Sequence, residues 1–165
     1  MRPGPRRMMP AFQTNSAGGG DARVLELEIR NDVSEIEAVV DLVRRECEAM
    51  RFARTQLMLN LPVALTEALS NAILRGNLDD PRKSVRVHAR VDSAALVVDV
   101  MDEGEGFDLE ACLVDPTTPD RVNGEDGRGL FLMHKLMDRV ERFAGGAGGA
   151  GGAGNVVRLT LRRGS

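Results

Sequence analysis

Two short runs, Ser84-Val-Arg-Val-His-Ala-Arg-Val91 and Ala95-Leu-Val-Val-Asp-Val-Met101, are joined only by a turn at Asp92-Ser93. Both are rich in β-branched and apolar residues, and the connection is too short for a parallel crossover, so they read as an antiparallel hairpin. The chain must therefore be built around a sheet, and the second strand delivers Asp102 at its end. Val24-Leu25-Glu26-Leu27-Glu28-Ile29 alternates apolar and polar residues as a half-buried strand does, and Val140 to Phe143 and Val156 to Leu161 supply two closing strands.

The remaining periodic segments are helical. Asn31 or Asp32 caps a helix with apolar residues at Val33, Ile36, Val39, Val40 and Val43, ending near Met50. A second helix is expected from Pro62, a good first-turn residue, to Arg75, with Gly76-Asn77 as its stop. Arg128 to Met137 makes a third, with Leu130, Met133 and Met137 on one face. Phe107 to Asp126 carries no periodicity, holds Pro116 and Pro119, and reads as a lid or binding loop. The Gly/Ala tract from Ala144 to Gly154 reads as a flexible hairpin loop with a reach of about 18 Å.

At 165 residues the chain amounts to one domain, expected over residues 23–165 behind a disordered, Arg- and Pro-bearing tail of residues 1–22. Only that tail is clearly basic and the net charge is −3, which argues against nucleic acid as a partner. No apolar stretch approaches the roughly 18 residues of a membrane span. Cys47 and Cys112 are too few for a disulfide framework or a zinc site, so a reducing cytoplasm is expected. His88 and His134 have no sequence partner that would make them catalytic or ligating.

Three strings carry chemistry. Glu67 and Asn71 stand four apart on the apolar second helix, hence on one face. An Asn amide oxygen suits Mg²⁺, and a carboxylate one turn away can take a proton from an attacking hydroxyl. On its own the pair also fits the solvated edge of an amphipathic helix. In Asp102-Glu-Gly104-Glu-Gly106 the two glycines can take φ > 0 and admit a ligand close to the backbone, while Asp102 can accept from the exocyclic amine of adenine; a bare turn fits the string equally well. Gly127-Arg128-Gly129 opens a helix whose free N–H groups can hold phosphate oxygens, with Arg128 adding charge; an ordinary hinge would look the same. No Gly-Lys-Ser/Thr phosphate loop is present.

In this fixed order the three strings resemble the N, G1 and G2 boxes of the GHKL ATPase superfamily. The wording Glu-Ala-Leu-Ser-Asn-Ala-Ile-Leu-Arg-Gly-Asn, Asp-Glu-Gly-Glu-Gly-Phe-Asp and Gly-Arg-Gly-Leu-Phe-Leu-Met is similar to its anti-sigma-factor serine kinase branch. The resemblance spans about residues 24 to 163. It implies a Bergerat-type α/β (α+β) two-layer sandwich, with helices on one face of a mixed, mostly antiparallel sheet and an ATP lid at about residues 107–126. It further implies ATP and Mg²⁺ as cofactors, Glu67 as the catalytic residue and Asn71 as the metal ligand. Asp102, Gly104 and Gly106 would lie at the base, and Gly127, Arg128 and Gly129 on the phosphates. The protein partners implied are a STAS-type anti-sigma antagonist, phosphorylated on serine, and a sigma factor; homodimerisation stays open. Family members commonly have Gly-Thr where this chain has Gly154-Asn155, and His where it has Arg75.

Two activities are compatible with these residues. One is a Mg-ATP-dependent protein serine kinase that also acts as an anti-sigma regulator. The other is a nucleotide-responsive protein-binding module without significant transfer. The ATP-binding half of a histidine kinase is expected less, since dimerisation helices and a phospho-accepting histidine find no room in 165 residues.

Overall fold

The computed structural model describes residues 13–15, 21–104, 125–144 and 154–164, with backbone alone at 13–15 and 125–128. Six strands form one sheet: β1 (Gln13–Asn15), β2 (Ala22–Arg30), β3 (Ser84–Val91), β4 (Ala95–Asp102), β5 (Arg139–Ala144) and β6 (Asn155–Arg162). Their spatial order is β1-β2-β3-β4-β6-β5, and each ladder among the described residues is antiparallel. Over one face lie α1 (Ile36–Ala49), α2 (Leu61–Asn71) and α3 (Glu125–Leu136), with α2 packed against both of the others. The two-layer α/β fold expected from the sequence is the one observed.

Alternation along the strands sorts residues between the two faces. Leu25, Val87, Val98 and Leu159 are fully buried beneath the helices with Leu65, Leu69 and Leu130. The opposite face is laced with cross-strand pairs. Arg158 grips Asp99 through two hydrogen bonds of 2.7 and 2.8 Å, an interaction fixed by their direct opposition in the ladder. The β3–β4 turn is closed by Asp92, whose carboxylate accepts from the Ala94 and Ala95 N–H groups.

Asp32 accepts from the Ser34 N–H at 2.9 Å and so caps a short 3-10 turn, Val33–Glu35, that leads into α1. Contrary to expectation α1 itself carries no side-chain cap and Val33 is exposed, while Ile36, Val39, Val40, Val43 and Cys47 bury the apolar stripe. Burial among them pushes the Cys47 thiol up to about 12.

The second helical run departs from expectation at both ends. It starts at Gln56, ahead of Pro62, and passes through a wider π-type turn in which the Leu61 N–H reaches back to the Gln56 carbonyl. Proline has no N–H and its ring crowds the carbonyl four residues back, so a widened turn just before it is how the helix continues through. The run ends in a second π-type turn, Ala72–Gly76. Gly76 and Asn77 do not supply the left-handed stop; Leu78 (φ 52°) and Asp79 (φ 54°) do.

The run Gln56–Gly76 is 21 residues long and holds an 18-residue stretch with a mean hydropathy of 1.4, long and apolar enough to cross a membrane, which corrects the expectation that no stretch approaches that length. Here it is a core helix. Leu61, Leu65, Ala68, Leu69 and Ile73 are buried between the sheet, α1 and α3, and a helix covered on several sides is apolar nearly all round.

Residues 13–15, expected in the disordered tail, pair with residues 22–24 as an edge strand, which backbone hydrogen bonds alone can hold without any apolar pattern. Helix α3 starts at Glu125, three residues before the expected Arg128 and inside the expected lid; acidic residues such as Glu125 and Asp126 favour a helix N-terminus. The rest of the lid, with Gly106, and residues 145–153 of the Gly/Ala tract lie outside the described residues.

Candidate functional site

The register places Asp102 opposite Asn155, at the last pair of the β4–β6 ladder and on the helix side of the sheet. Asp102 is only 7% exposed. Its Oδ1 accepts from the Gly104 N–H at 2.9 Å and from Asn155 Nδ2 at 3.1 Å. Its Oδ2 has no donor among the described residues and lies over Gly76, where a Cβ would overlap it. Gly104 in turn packs so tightly on the Gly76 carbonyl that a Cβ there would also overlap. The φ > 0 expected at Gly104 is not what calls for glycine; close backbone approach is.

A buried amide pair fixes this corner. Asn77 donates to Asn31 Oδ1 at 3.0 Å and to the Ser84 carbonyl at 2.9 Å, and accepts from the Glu103 N–H at 2.8 Å. Asn31 donates to the Ile73 and Asp80 carbonyls. The end of the helical run, the β2–α1 junction, the start of β3 and the end of β4 are thereby tied to one another. Losing either amide would leave buried polar groups unpaired, at about 1–3 kcal/mol each.

Further back along the same helical run, Glu67 and Asn71 are both half-buried. The Glu67 carboxylate stands against Gly129 on α3, where a Cβ would overlap Oε2 and come within 3.1 Å of Cδ. Gly127 and Arg128 lie in the first turn of α3, just ahead of Gly129. Gly76 lies nine positions on from Glu67, roughly 13 Å at a helical rise of about 1.5 Å per residue, so the two carboxylates meet this helical run at well-separated points.

The donor set suits Mg²⁺. An Asn71 amide oxygen is a hard ligand, and among the described residues no three His, Cys, Asp or Glu side chains converge on one point. A cation beside Asn71 would complete its shell with phosphate oxygens and water, which Mg²⁺ favours.

Of the residues that sequence reasoning singled out, Glu67 stands against Gly129, Asn71 lies one turn further along α2, and Asp102 lies over Gly76 beside Gly104; Gly127 and Arg128 are described by backbone alone, and Gly106 lies outside the described residues. Sequence reasoning passed over the role of Gly76, Asn77, Asn31 and Arg142. The signal for Asn77 is a Gly-Asn pair directly after an apolar helix, which in sequence reads as a stop. His134 is exposed, its pKa lowered by partial desolvation, and His88 faces Glu26 at 3.8 Å on the outer side of the sheet.

A family model described as the histidine kinase-like ATPase domain matches residues 29–161. Among curated proteins, the serine-protein kinase RsbW of Bacillus subtilis (strain 168) is 36% identical over 86 residues, 49% of this chain and 54% of that protein. The RsbW of Oceanobacillus iheyensis is 31% identical over 87 residues, 50% of this chain and 55% of that protein. The anti-sigma F factor of Halalkalibacterium halodurans is 29% identical over 85 residues, 51% of this chain and 58% of that protein. The chain spans about half the length of the curated relatives it matches.

Proposed function

The chain belongs to the histidine kinase-like ATPase domain family, and from that premise we propose that it is a Mg-ATP-dependent protein serine kinase in a partner-switching pathway. Its substrate is a serine of a STAS-type anti-sigma antagonist, and its second partner is a sigma factor. The relatives named as serine-protein kinases and as an anti-sigma factor support this reading. So does one geometric observation: the Glu67 carboxylate stands against Gly129 at the head of α3, one helical turn from Asn71.

In this reading Asp102 accepts the adenine amine, with Gly104 and Gly106 beneath the base, and Gly127, Arg128 and Gly129 present N–H groups and charge to the phosphates. Glu67 accepts the proton of the partner's serine hydroxyl. The serine oxygen bonds to the γ-phosphorus as the bond from that phosphorus to the bridging oxygen breaks, and ADP leaves. Mg²⁺, held by Asn71, supplies charge neutralisation on the phosphates when bound. The protein acts in the cytoplasm without contacting nucleic acid or membrane.

The test is incubation of the purified protein with gamma-labelled ATP, Mg²⁺ and lysate of the source organism, beside its Glu67→Ala variant. Label on serine of one small protein, absent with the variant, is the expected result. ATP binding without any labelled protein, even with a purified STAS-type partner, would instead favour a nucleotide-gated binding module.

A further inference from the structure

Asn155 stands where the sequence breaks from the common pattern of its family, and its surroundings give that break a purpose. The residue is 3% exposed. Gly154, at φ 123°, an angle that favours glycine, turns the chain into β6 immediately before it. All the hydrogen-bonding capacity of its amide nitrogen is directed at the adenine corner: Nδ2 donates to Asp102 Oδ1 and to the Gly104 carbonyl, both at 3.1 Å. Its oxygen accepts from Arg142 Nη2 at 2.9 Å. The amide can sit only this way round. Flipping it would aim an acceptor at two acceptors and a donor at a guanidinium.

Arg142 reaches the site because of the register. It opposes Val157 in the β5–β6 ladder, so it shares the helix side of the sheet with Asn155, two residues before Val157. Nothing in β5 marks it as a site residue in sequence, where it reads as one more surface arginine.

We infer that Asn155, oriented by Arg142, is a positioning residue that sets purine selectivity by fixing the rotation of the Asp102 carboxyl. This rests on the reading of Asp102 as the adenine acceptor. With Oδ1 saturated by Gly104 and Asn155, Oδ2 is the oxygen left to meet the base. A carboxylate oxygen held there accepts from the amine of adenine and repels the carbonyl oxygen of guanine. Without Asn155 the carboxyl can turn, and the repulsion of guanine is relieved.

The test is calorimetric titration of ATP and, separately, GTP into wild type, Asp102→Ala, Asn155→Leu, Asn155→Thr and Arg142→Gln, each checked by its thermal unfolding without nucleotide. Wild type binds ATP and Asp102→Ala does not, which establishes the underlying reading. Asn155→Leu is expected to weaken ATP at least tenfold and to lower the ATP-over-GTP preference by a similar factor. Asn155→Thr, which keeps one short donor, recovers most of the preference. Arg142→Gln, on an edge strand, lowers it several-fold and serves if Asn155→Leu does not fold. An unchanged preference in Asn155→Leu or Arg142→Gln, with wild-type ATP binding intact, would overturn the inference and leave the nucleotide site standing. Wild type that binds no ATP would overturn both.

Discussion

Gly129→Ala is expected to separate stability from activity. Gly129 is buried inside α3 with a right-handed backbone, so alanine fits its dihedral angles, and helix propensity favours the change by about 0.8–1 kcal/mol. Against that stands the Glu67 carboxylate: the new Cβ would overlap Oε2 and stand 3.1 Å from Cδ and 3.7 Å from Cγ. Glu67 is half-buried and can swing toward solvent, at about 0.5–1.5 kcal/mol if it leaves its preferred rotamer. The two effects nearly cancel, so the melting temperature should move by no more than about 2–4 °C. Transfer behaves differently. Displacing the base by about 1 Å is worth about 100-fold in rate, or about 2.7 kcal/mol of barrier. Calorimetry for the fold and for ATP affinity, with single-turnover phosphorylation of the partner, reads all three quantities. A rate within threefold of wild type would refute the placement of Glu67 as base, and a lost ATP affinity would show a blocked phosphate site instead.

Other substitutions and titrations test other parts of the same account. Gly76→Ala forces a Cβ within 2.9 Å of Asp102 Cβ, and because both residues are buried neither can yield; overpacking of about 1–3 kcal/mol and at least a tenfold loss of ATP affinity are expected from denaturant unfolding and calorimetry. The Arg82 side chain and backbone N–H, hydrogen-bonded to Asp80, hold its carboxyl down to about 2. Its contribution is therefore complete above the ordinary 3.8 and lost as pH falls through about 2, and NMR titration of Arg82→Ala should return the midpoint toward 3.8. Cys47, with its thiol pushed up to about 12 by burial, should resist iodoacetamide at pH 8 in the native protein and react only after unfolding, as mass spectrometry at that residue would show.

Much of the architecture could be read from the chain because its sheet is solvated on one side and buried on the other. That asymmetry writes period-two alternation into β2 and β3, and the short turn between β3 and β4 leaves one way to pair them. The stripe of α1 was equally plain. What escaped detection depends on contacts across the fold. β1 pairs through backbone alone, and Pro62 reads as a helix start until a widened turn carries the helix through it.

The site divides along the same line. Glu67, Asn71 and Asp102 announce themselves as polar residues in apolar or glycine-rich surroundings. Asn77 and Asn155 look like turn residues, and only the register, which sets Asn155 opposite Asp102, reveals what they hold. Glycine was recognised at Gly104 for its freedom, whereas the fold uses its lack of a side chain.

The central claim is that Glu67 takes the serine proton during transfer from ATP. Its most direct test is single-turnover phosphorylation of a purified STAS-type partner by wild type and Glu67→Gln at saturating ATP, with ATP affinity measured on both. The account predicts affinities within about threefold of each other and a transfer rate lower by about 10²- to 10⁴-fold in the variant. Transfer at the wild-type rate by Glu67→Gln would contradict it.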